Sequence, residues 1–145
     1  MKICILGLGY VGLPIATLFA TKGHDVIGVD INKSIVETLN KGRIHIHEPG
    51  LEQKLKQAIS LGKLTAKTTP EKADVFILAV PTPLTKEKKA DLTYVEKATE
   101  LILPFIEKGN MVILESTVPP GTTEEIIGKK LAKDILLVHC PERIL

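Results

Sequence analysis

The sequence predicts a doubly wound α/β domain: a parallel sheet with helices on both faces, three layers in a single unit. Three observations carry this reading. Apolar runs rich in Val, Ile and Leu recur along the chain: KICIL at 2–6, DVIGVD at 25–30, DVFILAV at 74–80, MVILES at 111–116 and DILLVH at 134–139. They lack the polar alternation of a half-exposed strand, so each is expected to be buried on both faces. The intervening segments are long enough for crossover helices and carry apolar residues at three- and four-residue spacing. Finally, 145 residues suit one domain with a core of two or three layers.

Taken in order, the first strand runs straight into GLGYVG at 7–12, and a helix follows from about Val11 to Thr21. The second strand ends on Asp30; helices over Lys33–Leu39 and Leu51–Ser60 and a short strand near Leu64–Ala66 come next. After the strand at 74–80, the charged stretch PTPLTKEKKAD at 81–91 reads as a long loop, with Lys86–Lys89 as its solvated tip. Helices are expected over Thr93–Ile106 and Thr122–Ala132. Each opens with a Thr three residues before a Glu (Thr93 and Glu96, Thr122 and Glu125), the spacing of a reciprocal N-terminal capping box. The last strand, near Val138, is expected to form a sheet edge.

Composition narrows the function. Lys and Arg number 19 against 17 Asp and Glu, a net charge of +2, with no basic block or aromatic-basic interleaving to suit nucleic acid. No apolar run reaches the 18 residues of a membrane span, and the N-terminal run lacks a signal-peptide pattern. Cys4 and Cys140 lie in or beside apolar runs and make a poor disulfide framework, so both are read as buried thiols of a reducing compartment. A cytoplasmic protein with small-molecule partners is the expectation.

The chemistry centres on GLGYVG. With 11 Gly in 145 residues the bare glycine pattern arises by chance only roughly 0.06 times in such a chain, so its context decides. It sits between strand and helix, where Gly7 serves a tight turn, Gly9 a close approach of backbone to a diphosphate, and Gly12 close helix–strand packing. Asp30 ends the next strand, 18 residues after Gly12, where a carboxylate accepts ribose hydroxyls. No Arg stands nearby to hold a 2′-phosphate, so NAD is expected over NADP. The competing reading keeps the glycine turn for packing alone and makes Asp30 a helix cap. VPTP at 80–83 and ESTVPPGTT at 115–123 leave the C-terminal ends of strands, where such sheets place ligands, and offer the hydroxyls of Thr82, Ser116 and Thr117. Their competing reading is turn and cap chemistry. His45 and His47, with Glu48 beside them, have same-face strand spacing but no third ligand with family or local support, so no metal site is assigned; Arg43, His47 and Glu48 suit equally a loop near the ligand or a solvated surface.

GLGYVGLP at 7–14, GVDIN at 28–32, EPGL at 48–51, VPTP at 80–83, ESTVPPGTT at 115–123 and CPER at 140–143, in this order, resemble the UDP-glucose/GDP-mannose dehydrogenase family over essentially the whole chain. IHIHEPGL and HCPERIL look most like its UDP-N-acetyl-D-mannosamine branch, whose uronic acid products enter surface polysaccharides. The resemblance implies a Rossmann-like NAD-binding domain of an enzyme taking the C6 alcohol of a UDP-sugar to a carboxylate with two NAD, through a thiohemiacetal and thioester on a cysteine. It implies that Tyr10 and Val11 offer backbone groups to the diphosphate, that Thr82 and Thr117 contact NAD or the reactive water, and that Glu142 positions or deprotonates that water. The family's nucleophilic Cys, its oxyanion-steadying Lys and Asn and its sugar-binding domain belong downstream of Leu145. The chain alone is therefore expected to be inactive, and the dimer usual in such enzymes to depend on the further length. Cys140 matches no catalytic cysteine of the family. Other Rossmann dehydrogenases, a UDP-glucose or GDP-mannose enzyme, and a stand-alone NAD-binding module are the alternatives.

Overall fold

A computed structural model describes residues 1–142; Arg143, which ends the CPER motif, and the two residues after it lie outside the described part. Six strands form one parallel sheet: β1 (Lys2–Leu6), β2 (Asp25–Val29), β3 (Leu64–Lys67), β4 (Val75–Leu78), β5 (Met111–Leu114) and β6 (Leu136–His139), in the order β3-β2-β1-β4-β5-β6. The order reverses between β1 and β4, and at this switch point the C-terminal ends of neighbouring strands open a crevice.

The continuous apolar runs feed two cores. On β1, Ile3 and Ile5 face one side of the sheet and Cys4 and Leu6 the other, and all four are buried. The first side is covered by α1 (Gly12–Thr21), α2 (Lys33–Asn40) and α3 (Leu51–Ser60) through Leu13, Ala16, Leu39 and Leu55. The second is covered by α4 (Thr93–Ile102) and the segment Thr123–Ile127 through Val95, Ala98, Ile102 and Ile127. This is the expected three-layer α/β architecture, and Val138 lies on the edge strand β6, as the sequence suggests.

Four local expectations fail for identifiable reasons. Neither capping box forms. At α4, Asp91 Oδ1 instead accepts the N–H of Thr93 at 3.0 Å, and Thr93 is already helical. Before Thr123, the Gly121 carbonyl takes the N–H of Glu125 at 2.9 Å, so the turn begins earlier and draws Thr122 and Thr123 into the interior. The helix expected over Thr122–Ala132 is a π turn (Thr123–Ile127) followed by a 3₁₀ turn (Gly128–Lys130), which packs Gly128 against the Leu137 side chain of β6. Lastly, the run at 134–139 is not buried on both faces and Cys140 after it is exposed, because among the described residues no strand lies beyond β6. Cys4, on the central strand, is buried as expected.

Candidate cofactor site

GLGYVG forms the bend between β1 and α1. Gly7 has φ +90°, and a Cβ there would lie 2.5 Å from the Ala79 carbonyl oxygen; one on Gly12 would lie 1.8 Å from the Gly7 carbonyl oxygen. Both glycines are therefore demanded by the fold itself. Gly9 is different: a Cβ there meets nothing within 4 Å. Packing alone explains two of the three glycines, and the space above Gly9 is what a ligand approaching the backbone requires.

Helix α1 has no side-chain cap on Val11 and no acidic residue in its first turn. Among the described residues, no acceptor takes the N–H groups of Gly9, Tyr10, Val11 or Gly12. Unpaired N–H groups at the positive end of a helix dipole suit an anion. Gly9, Tyr10 and Val11 line a cleft of about 500 Å³ at the switch point.

Asp30 closes one side of that cleft. Its Oδ2 accepts the N–H of Leu8 at 3.2 Å and its Oδ1 the N–H of Asn32 at 2.9 Å, so one carboxylate fixes both the glycine loop and the start of α2. Each oxygen keeps a lone pair, and the half-buried carboxylate can still accept hydroxyls. The helix cap assigned to Asp30 by the packing reading falls instead to Asn32, whose side chain accepts from Ser34 N at 3.0 Å. Beyond Asp30 lies a second hollow of about 530 Å³ that shares Gly7, Asp30, Ile35 and Val80 with the first and is walled by Ile31, Tyr94 and Leu101. Nothing in the sequence motifs marks Tyr94 or Leu101; only the packing of α4 brings them here.

The other side of the cleft is built by the ends of β4, β5 and β6. Thr82 Oγ1 donates to the Thr117 carbonyl at 2.8 Å, Ser116 Oγ donates to the Val80 carbonyl at 2.6 Å, and His139 Nε2 lies 3.3 Å from the Ser116 carbonyl. These contacts staple the three loops together. They also use the protons of Thr82 and Ser116, leaving those oxygens as acceptors, while the exposed Thr117 hydroxyl has no partner among the described residues.

Glu142 lines this half, and its N–H donates to the Glu115 carbonyl at 3.3 Å. Glu115, which opens the ESTVPPGTT motif but carries none of the hydroxyls for which that motif was singled out, lines it too. Burial, and then the nearby Glu142 carboxylate, push the Glu115 carboxyl above its ordinary range. A further unforeseen lining residue is His45, in the loop between α2 and α3, whereas His47 and Arg43 do not reach the cleft. Among the described residues no group of three or more His, Cys, Asp or Glu is placed to hold a metal. Neither Cys4 nor Cys140 lines the cleft. The Lys86–Lys89 tip stands apart from it, closed by Thr85 N donating to the Lys89 carbonyl at 2.7 Å.

Comparison with known proteins agrees with this geometry. Residues 1–145 match the family described as the UDP-glucose/GDP-mannose dehydrogenase family, NAD binding domain. A UDP-N-acetyl-D-mannosamine dehydrogenase from Methanocaldococcus jannaschii is 52% identical over 99% of this chain and 35% of its own length. The solved UDP-N-acetyl-mannosamine dehydrogenase from Staphylococcus aureus is 45% identical with a TM-score of 0.94, covering 100% of this chain and 37% of that one. A ternary complex of GDP-mannose dehydrogenase from Pseudomonas aeruginosa is 34% identical with a TM-score of 0.91, with the same coverage. The chain thus spans about a third of the length of its relatives. It belongs to the UDP-glucose/GDP-mannose dehydrogenase family, of which it is an NAD-binding domain.

Proposed function

We propose that this chain is the cofactor-binding part of a nucleotide-sugar 6-dehydrogenase that oxidises UDP-N-acetyl-D-mannosamine to its uronic acid with two NAD, in the cytoplasm and toward surface polysaccharide. The observation that carries the reading is that Gly9, Tyr10 and Val11, whose N–H groups have no acceptor among the described residues, line at the head of α1 a cleft that also holds the Asp30 carboxylate. The 52% identity to the M. jannaschii enzyme favours the mannosamine branch.

NAD, when bound, supplies the hydride acceptor. Gly7, Gly9 and Gly12 shape the bend, and the N–H groups of Gly9, Tyr10 and Val11 hold the diphosphate. Asp30 accepts the adenosine ribose hydroxyls, and the apolar hollow walled by Ile31, Tyr94 and Leu101 takes the adenine ring. On the other half, Thr82 and Ser116 accept the carboxamide N–H groups, since their own protons are already donated. Thr117 keeps a free hydroxyl proton to orient a water or the sugar alcohol. Glu142, at the mouth of this half, takes a proton from that oxygen. No thiol of the chain lines the cleft, so a covalent route through cysteine would draw its nucleophile from the further length that the relatives have. The sugar site and the dimer interface would belong to that length too.

The test is an assay of the protein carrying this domain with UDP-N-acetyl-D-mannosamine and NAD. The expected result is formation of the uronic acid with two NADH per sugar. Turnover of UDP-glucose or GDP-mannose in its place would move the enzyme to another branch of the family, and oxidation of a simple hydroxy acid with no nucleotide sugar used would refute the reading.

A further inference from the structure

The charge layout of the cleft is lopsided. Among the described residues three carboxylates line it, Asp30, Glu115 and Glu142, and His45 is the only cationisable one. Asp30 is engaged by two backbone N–H groups. Glu115 is half-buried, yet its carboxylate has no hydrogen bond or ion pair among the described residues. A partly desolvated carboxylate without a partner costs stability, and its place in a ligand cleft raises the question of what cation it meets.

The strand order answers it. With the diphosphate at the head of α1 and the adenosine ribose at Asp30, on the β2 side of β1, the other half of the dinucleotide must run over β4 and β5. Neighbouring strands lie ~4.8 Å apart, so Glu115, the first residue after β5, stands roughly 10 Å across the sheet from β1, within the span of one nucleotide. The oxidised nicotinamide ring carries the one positive charge of the dinucleotide, and hydride transfer removes it. Resting on the reading of this cleft as an NAD site, we propose that Glu115 distinguishes oxidised from reduced cofactor, attracting the cationic ring and losing that attraction once the ring is reduced. In a reaction that consumes two NAD per sugar, such a residue favours loading of the oxidised form and release of the reduced form at each stage. The raised carboxyl range of Glu115 agrees with a site built to receive positive charge.

The test compares NAD⁺ and NADH binding by calorimetric titration at neutral pH, for the wild-type chain, Glu115→Gln, Glu115→Lys and the exposed control Glu124→Gln. A half-exposed charge pair is worth about a tenfold change in affinity. Glu115→Gln is therefore expected to weaken NAD⁺ about tenfold and leave NADH unchanged; Glu115→Lys should weaken NAD⁺ further, and Glu124→Gln should change neither. Equal losses for both forms in Glu115→Gln, or no loss for either, would overturn the proposal while leaving the NAD site standing. A wild-type chain that binds neither form would overturn both.

Discussion

The two ends of the sheet are finished differently. At the β3 end, the Asn40 side chain mimics another strand: its Oδ1 accepts the N–H of Ala66 and its Nδ2 donates to the Ala66 carbonyl, both at 2.9 Å. Leu64 and Ala66 are buried beneath α2 and α3. At the β6 end, Leu136 and Val138 are 56% and 38% exposed, and the covering helical segment is only a π turn and a 3₁₀ turn. The cleft shares this asymmetry. In both halves hydrogen bonds fix the loops, but the Asp30 carboxylate is itself engaged by two N–H groups, whereas the Glu115 carboxylate and the Thr117 hydroxyl have no partner among the described residues. On the proposed reading, the domain would hold the adenosine side of the cofactor with groups it fixes itself and leave the other side open to a second substrate.

The largest effect expected along this divide is at the glycine bend. Gly12→Ala drives a Cβ to 1.8 Å from a carbonyl oxygen and should cost about 3–5 kcal/mol in denaturant unfolding. Gly9→Ala should leave stability within about 1 kcal/mol while abolishing detectable NAD binding, because the space it fills is the ligand's. If both variants lost stability equally, the glycine pattern would be explained by packing after all.

The next effect tests the two edges against each other. Asn40→Ala strips the partners from a half-buried edge and should cost about 1–3 kcal/mol by the same unfolding measurement. Val138→Lys removes exposed apolar surface from the open edge; it should change stability by less than about 0.5 kcal/mol and reduce self-association at high concentration in sedimentation experiments.

Smaller still are the chemical readouts. A thiol reagent should label Cys140 promptly in the native chain and Cys4 only after unfolding, since burial pushes the Cys4 thiol up to about 11. Glu115 sits above its unfolded range, so the folded state binds its proton more tightly. Stability should therefore rise as pH falls from neutral through the folded value toward the ordinary glutamate range. Glu115→Gln should remove that rise and lift the neutral-pH Tm by about 1–3 °C. A melting curve without this pH limb would contradict the unpaired state of the carboxylate.

How much of this was legible in the sequence follows from what each signal depends on. Strands buried on both faces write themselves as runs such as ICIL at 3–6, so the sheet could be read without any tertiary knowledge. The glycine bend and Asp30 were legible for a similar reason: a turn, a close approach and a strand-end carboxylate each demand a residue type at a spacing. The capping boxes misled because Asp91 and Gly121, just upstream, compete for the same N–H groups and win. Cys140 misled because an apolar run shows that a strand exists but not that something covers it. Glu115 lies in a strand-end motif whose hydroxyls drew attention instead, whereas His45, Tyr94 and Leu101 reach the cleft region only through packing, which no local pattern encodes.

The most direct test of the central claim, that Asp30 makes this cleft an NAD site, is a parallel calorimetric titration of the chain with NAD and NADP. NAD should bind and NADP should bind far more weakly, because the 2′-phosphate would meet the Asp30 carboxylate, and Lys97 is the one Lys or Arg among the described residues lining the adjoining hollow. Equal affinities would contradict the role given to Asp30 and return the bend and its carboxylate to a purely structural part.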